Sequence, residues 1–237
     1  MAARTIKDNL KRIEENINTA CGKSGRSRDE ITLIAVTKTV GIQEIIEVIA
    51  AGYTELGENR LPHLEEVATL TAEYIENNQP ETKVNWHMIG HLQRNKVRKL
   101  LPISQTIHSV DSLRLAAEIN STAQKYNITA EIFLQANCSG EQQKYGIEPA
   151  ETVELAGQIG EMPNIKLAGV MTMAAFTDNE AQIRKTFIRA REIFEQIRGS
   201  GISPETCKYL SMGMTNDYTI AVEEGATHLR IGSAIFN

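Results

Sequence analysis

Cysteine is scarce in this chain. Cys21, Cys138 and Cys207 are odd in number and far apart, so neither a disulfide framework nor a CxxC metal site can be read from them. A reducing compartment is the expectation. Positive charge is not in excess: 25 Lys and Arg stand against 30 Asp and Glu, for a net charge of −5, which argues against a broad nucleic-acid footprint. No apolar run approaches the ~20 residues that span a bilayer. The N-terminal MAARTIKDNLKRIEENI carries acids and lacks the apolar centre of a secretory signal. These absences predict a soluble cytoplasmic protein with no nucleic-acid or membrane partner. Two further absences bear on the fold. No linker or low-complexity tract divides the chain, and no GxGxxG follows the first strand, which removes the main support for a dinucleotide-binding sheet.

What is present is a globular composition, 41% hydrophobic and 23% charged over 237 residues, enough for one large domain with a real core. The stretch that organises it is ITLIAVTKT, residues Ile31–Thr39. Its apolar, β-branched run suits a strand buried on both faces. Lys38 stands just past that run. A lysine there pairs with an anion, reaches solvent, or acts as an amine whose pKa burial has lowered.

The rest of the chain alternates. Ile6, Leu10, Ile13 and Ile17 stripe an N-terminal helix. After the first strand, Ile42, Ile45, Ile46 and Ile49 stripe a second helix that Gly52 ends. Strands are predicted at 53–56, 84–89, 106–110, 130–136, 165–171, 208–210 and 228–231. Helices are predicted through Leu64–Ile75, at Leu92–Leu101 (basic, stopped by Pro102), up to Tyr126 (capped by Ser109 or Asp111), at 150–159, 179–198 and 217–224. About eight strands alternating with helices imply parallel pairing through right-handed crossovers. The expected fold is α/β, a single (β/α)8 TIM barrel over 1–237, with residues 1–30 as an extra N-terminal helix and loop packed on it.

Barrel sites lie at the C-terminal strand ends, and phosphates commonly sit at the loops after strands seven and eight. There the chain places Lys38, Glu58, Asn59, His87, SMGMT (211–215) and RIGS (230–233). The glycines and hydroxyls of the last two segments form a candidate phosphate cradle, with Thr215 near a helix start. Lys38 opposite such a cradle could pair with the phosphate or form a Schiff base with an aldehyde on the same ligand. His87 and His91 have i, i+4 spacing, but Gly90 intervenes and no third ligand is near, so no metal site is expected. The basic segment RNKVRK (94–99) reads as a solvated face, with docking of an acidic partner as the alternative. Met171, Met173, Met212 and Met214 read as gap-fillers and pocket walls.

Taken in order, TLIAVTKT, GEN, NWHMIGHLQRNK, HSVDS, KYGI, LSMGMTNDY and LRIGSAIF resemble the pyridoxal-phosphate homeostasis proteins, from about Ile31 to the last residue. The resemblance implies a barrel similar to the N-terminal domain of alanine racemase and a pyridoxal 5′-phosphate (PLP) cofactor. It matches Lys38 to the lysine that holds PLP as an internal aldimine. It assigns Ser211, with the backbone around Gly232 and Ser233, to the phosphate, Arg230 to the pyridine nitrogen, Asn59 to a polar position near the ring, and His87 and Met212 to the ring's surroundings. A guanidinium cannot accept a proton, so Arg230 would keep the ring nitrogen unprotonated and the ring a poorer electron sink. The chain departs from the family at GENR-LPH, where GENYVQE is more usual, at Thr215, where serine is common, and at AIFN, where relatives usually run on, so a shortened C-terminus is expected.

Three functions follow. The favoured one is a non-enzymatic, monomeric PLP carrier in vitamin B6 and amino-acid homeostasis, with apo-PLP enzymes as possible recipients. The second is a fold-type III racemase or decarboxylase, for which the expected β domain and its catalytic tyrosine are missing. The third is an aldolase whose Lys38 forms a Schiff base with a sugar phosphate and for which Glu58 is the tempting carboxylate.

Overall fold

A computed structural model describes residues 5–141, 145–203 and 205–237. Lys144 of the KYGI segment lies outside the described residues. Eight strands form a closed barrel in sequence order: β1 (Thr32–Val36), β2 (Glu55–Glu58), β3 (Asn85–Met88), β4 (Thr106–Val110), β5 (Ala130–Gln135), β6 (Ile165–Met171), β7 (Tyr209–Ser211) and β8 (His228–Ile231). Every pairing is parallel, and β1 closes on β8 with Thr32 beside His228 and Ile34 beside Arg230. The helices are α1 (Ile6–Ser24), α2 (Ile42–Ala50), α3 (Leu61–Asn78), α4 (Val97–Leu100), α5 (Leu113–Tyr126), α6 (Pro149–Gly160), α7 (Glu180–Gly199), α8 (Tyr218–Glu223) and α9 (Ser233–Phe236). The expected (β/α)8 barrel with an extra N-terminal helix is the fold observed. No helix among the described residues is long and apolar enough to cross a membrane, and Cys21, Cys138 and Cys207 are free and buried.

Local signals explain most boundaries. Thr5 and Asp8 close a reciprocal capping box at the start of α1, and Gly25, at φ 69°, ends it in the left-handed conformation that glycine adopts without steric cost. The buried stripe Leu10, Ile13 and Ile17 packs α1 against α8 and α9. From the same face, Asn9 donates to the carbonyls of Ile235 (3.0 Å) and Asn237 (3.1 Å).

Three boundaries differ from the sequence reading. The second strand is shifted to Glu55–Glu58, because its register against β1 pairs Leu56 with Ala35 and Gly57 with Val36, which draws the first two residues of GEN into the sheet. The basic segment forms a single 3-10 turn, Arg94–Lys96, and then the short α4, because Gln93 is held extended. Ser112, not Ser109 or Asp111, caps α5 through Leu115 N at 3.3 Å. Ser109 lies within β4 and donates to Gly90 O at 2.6 Å.

Alternation along the strands sorts side chains into two layers. Leu33, Ala35, Leu56, Ile107, Leu134 and Leu229 join the helices in one continuous apolar cluster. Ile34, His87, His108, Phe133, Ser211 and Arg230, all buried, fill the inside of the barrel.

Candidate functional site

At the C-terminal ends of the strands the barrel opens into a cavity of about 570 Å³, within the size range of small-molecule sites. β1 delivers Lys38 to it from the turn just past Val36, where the side chain is exposed. Asn59 follows β2, and Gly90 must be glycine for Asn59 to sit there, since a Cβ at Gly90 would stand 2.2 Å from the Asn59 carbonyl oxygen. Arg230 rises from β8 on the opposite wall, with Gly232 and Ser233 beyond it. Thr215, from the loop after β7, completes that wall: Ser233 Oγ donates to Thr215 Oγ1 at 3.1 Å and Ala234 N to the same oxygen at 3.2 Å. Five of the eight expected site residues, Lys38, Asn59, Arg230, Gly232 and Ser233, therefore share one cavity.

The other three do not line it. Ser211 sits below Arg230 inside the barrel and accepts from its Nη1 at 2.6 Å, so the hydroxyl that this loop turns to the cavity is Thr215. Met212, the next residue along, points the other way and is buried in the apolar layer under the helices. His87 lies one inward position below Ile89, which does line the cavity. Both of its ring nitrogens are engaged, by Glu55 Oε2 at 2.7 Å and His108 Nε2 at 2.9 Å. Gly213 also stands outside the cavity. Its φ of 94° and a would-be Cβ 2.6 Å from Ala221 Cβ make it a requirement of the fold. Met173 and Met214 are pocket walls, as read from the sequence.

The sequence reading missed the rim. Gln135 bonds the Tyr145 carbonyl at 3.1 Å, and the Tyr145 ring stacks on His91 at 4.1 Å, while His91 faces Asp111 at 3.5 Å. Phe176, 93% exposed, stands on the same rim. Among the described residues, no group of three or more His, Cys, Asp or Glu side chains is disposed to hold a metal ion. Glu58 is fully buried behind the sheet, where it accepts from Thr37 Oγ1 and faces His63 at 3.1 Å, away from the cavity. A second hollow, about 620 Å³ between α3 and Pro102, is more open and contains no amine.

Arg230 dominates the electrostatics of the site. Burial, partly offset by Asp217, pulls its guanidinium down to about 10, so it remains charged at neutral pH. It presents donors only.

Comparison with known proteins agrees with this fold. The family described as alanine racemase, N-terminal domain, matches residues 9–237. A pyridoxal phosphate homeostasis protein of Aquifex aeolicus is 35% identical over 230 residues, covering 97% of this chain and 96% of its own. The chain belongs to the pyridoxal phosphate homeostasis proteins. Among solved structures, an unknown protein from Bifidobacterium adolescentis superposes with a TM-score of 0.89 at 38% identity, over 98% of this chain and 94% of that one. PipY of Synechococcus elongatus, solved with PLP bound, does so with a TM-score of 0.79 at 28% identity, over 95% of this chain and all of its own.

Proposed function

We propose that this chain binds pyridoxal 5′-phosphate in the barrel-mouth cavity and serves PLP homeostasis as a carrier rather than as an enzyme. One observation carries the reading: an exposed amine, Lys38, shares a cavity with the hydroxyl and backbone cluster of Thr215, Gly232 and Ser233 and with a guanidinium that can only donate. The donor set fits the group. Thr215, Ser233 and the backbone at Gly232 would seat the phosphate, Lys38 would bond covalently to the aldehyde carbon, Arg230 would face the ring nitrogen, and Asn59 would lie near the ring. Bound there, the cofactor supplies an electrophilic aldehyde and a conjugated ring that can take up electron density.

The residues around it favour holding over turnover. Arg230 offers the ring nitrogen a hydrogen bond but no proton-accepting lone pair, which limits the ring as an electron sink. Two of the titratable groups that line the cavity already have partners: Asp217 accepts from Met214 N at 2.5 Å, and His91 faces Asp111 and stacks on Tyr145. Glu58 faces away, which weakens the aldolase reading. A monomer in the cytoplasm that hands its cofactor to apo-PLP enzymes, without nucleic-acid or membrane partners, completes the proposal. The homeostasis names of its relatives support it.

The test is the visible spectrum of the purified protein with PLP, before and after borohydride, for wild type and Lys38→Ala. Wild type should be yellow, with the chromophore fixed to the chain by reduction. Lys38→Ala should retain its fold and lose the fixed chromophore, since no other amine among the described residues lines the cavity. A wild-type protein that stays colourless with excess PLP refutes the assignment.

A further inference from the structure

Below the cavity, the inside of the barrel holds a file of polar side chains that cofactor binding alone does not explain. Glu55 on β2, His87 on β3, His108 on β4, Ser211 on β7 and Arg230 on β8 touch in succession. Glu55 Oε2 is 2.7 Å from His87 Nε2, His87 Nδ1 is 2.9 Å from His108 Nε2, and His108 Nδ1 is 2.8 Å from Ser211 Oγ. Arg230 Nη1 donates to that same Ser211 oxygen at 2.6 Å, and its Nη2 to the Thr172 carbonyl at 2.9 Å. The two imidazoles, the hydroxyl and the guanidinium are buried, while the Glu55 side chain keeps 29% exposure at the far end.

The chemistry of the two ends and the pairing of every buried donor give the bonds one direction. A guanidinium has no acceptor, so Ser211 Oγ accepts from Arg230, and directing its own hydrogen to His108 Nδ1 leaves that buried hydroxyl fully bonded. A neutral His108 then carries its hydrogen on Nε2 and donates to His87 Nδ1. His87 carries its hydrogen on Nε2 and donates to an ionised Glu55. All four contacts are satisfied with neutral rings. Burial, reinforced by the charge of Arg230, holds His108 well below the ordinary histidine value. Burial raises the Glu55 carboxyl, but hydrogen bonds from His87 and Asn85 outweigh it and leave the group below its usual value.

Packing does not require such a file. Phe133 stacks on His108 at 4.1 Å, so this layer accepts apolar rings. Buried polar groups cost stability unless each is bonded, and a fully bonded set rigidifies what it touches. Arg230 itself bonds a hydroxyl and a carbonyl rather than a carboxylate. The file passes its donor polarity on to a carboxylate at the other end of the barrel.

We propose that Glu55, His87, His108 and Ser211 are positioning residues that hold Arg230 in a fixed orientation toward the cofactor's ring nitrogen and tie its hydrogen-bond polarity to the Glu55 carboxylate. None of the four lines the cavity. The link to the ring rests on the PLP assignment above, whereas the file itself does not.

Two measurements separate those parts. Long-range 1H–15N correlation of the imidazoles in the uniformly labelled full chain, at neutral pH and without PLP, should show His87 and His108 both neutral with hydrogen on Nε2. A His108 that is cationic or carries its hydrogen on Nδ1 overturns the file, whatever PLP does. With PLP added, Ser211→Ala should raise the PLP dissociation constant about tenfold, the equivalent of one hydrogen bond to a charged group, and shift the absorption maximum of bound PLP. Ser211→Thr should restore both. Glu55→Gln, at the end remote from the cavity, should shift the same maximum by less and move the His87 Nε2–H resonance. A folded Ser211→Ala, or Glu55→Gln where the former does not fold, with an unchanged maximum and dissociation constant overturns the positioning role. A wild type that takes up no PLP strikes the ring link, while the tautomers still report on the file.

Discussion

The two faces of the sheet are both largely buried and are built on opposite chemistry. On the outer face, Leu33, Ala35, Leu56 and Leu229 meet helical residues such as Leu64, Ile119 and Phe187 in one apolar layer. On the inner face, Glu55, His87, His108, Tyr209, Ser211, His228 and Arg230 hydrogen-bond or stack with particular neighbours. Apolar burial is non-directional and tolerates exchange of one hydrophobe for another. A hydrogen-bonded interior does not, because a lost partner leaves a buried group unpaired. The outer layer therefore accounts for most of the stability, and the inner one sets the arrangement under the cavity.

If this division holds, damage to the two faces should read out differently. Phe187→Ala, at a fully buried position on α7, should cost about 3–5 kcal/mol in denaturant unfolding, while the remaining folded protein binds PLP with unchanged affinity. Altered affinity there would mean that the layers are coupled. Acid should attack the inner face. Burial, with the charge of Arg230 and against that of Glu55, takes His228 down to about 3, and His108 is lowered as well. The unfolded chain protonates both below the ordinary value of 6.5, whereas the folded chain does not. Their contribution is thus intact above about pH 6.5 and is lost as pH falls toward 3. The expected slope is about 1.4 kcal/mol per pH unit for each histidine, measurable as a falling urea midpoint between pH 7 and pH 5. A flat profile would mean that these rings are already charged in the fold. The smallest effect on stability belongs to the mouth: Thr215→Ala should change unfolding by no more than about 0.5 kcal/mol yet weaken PLP binding about tenfold through one lost hydrogen bond to a charged group. Thr215→Ser should stay close to wild type.

The same contrast explains what could be read from the sequence. The barrel was legible because eight strand-and-helix units repeat and need only local periodicity to be seen. Lys38, Asn59, Arg230, Gly232 and Ser233 were legible because residues just past, or late in, a barrel strand reach the mouth. Ser211, Met212 and His87 lie off the cavity lining through depth and parity. In a strand buried on both sides an apolar run does not reveal which face is inward, so SMGM could not disclose that serine points in and the first methionine out. Glu55 and His108 gave no signal at all, since their partners come from other strands and meet only in the closed barrel. The His91–Tyr145 stack joins the β3 and β5 loops for the same reason.

The closure of β1 on β8 has a consequence for folding. Lys38 hangs from the first strand, and Arg230, Gly232 and Ser233 from the last, so the cavity's two chemical halves meet only when Thr32–Ala35 has paired with His228–Ile231. That pairing spans almost the whole chain, as does the Asn9 bond to Ile235 at a separation of 226 residues. Contacts of such long range carry a loop-closure cost and form slowly. The complete cavity is therefore a property acquired at the end of folding: a nascent chain that still lacks β8 has Lys38 but not the Arg230, Gly232 and Ser233 wall.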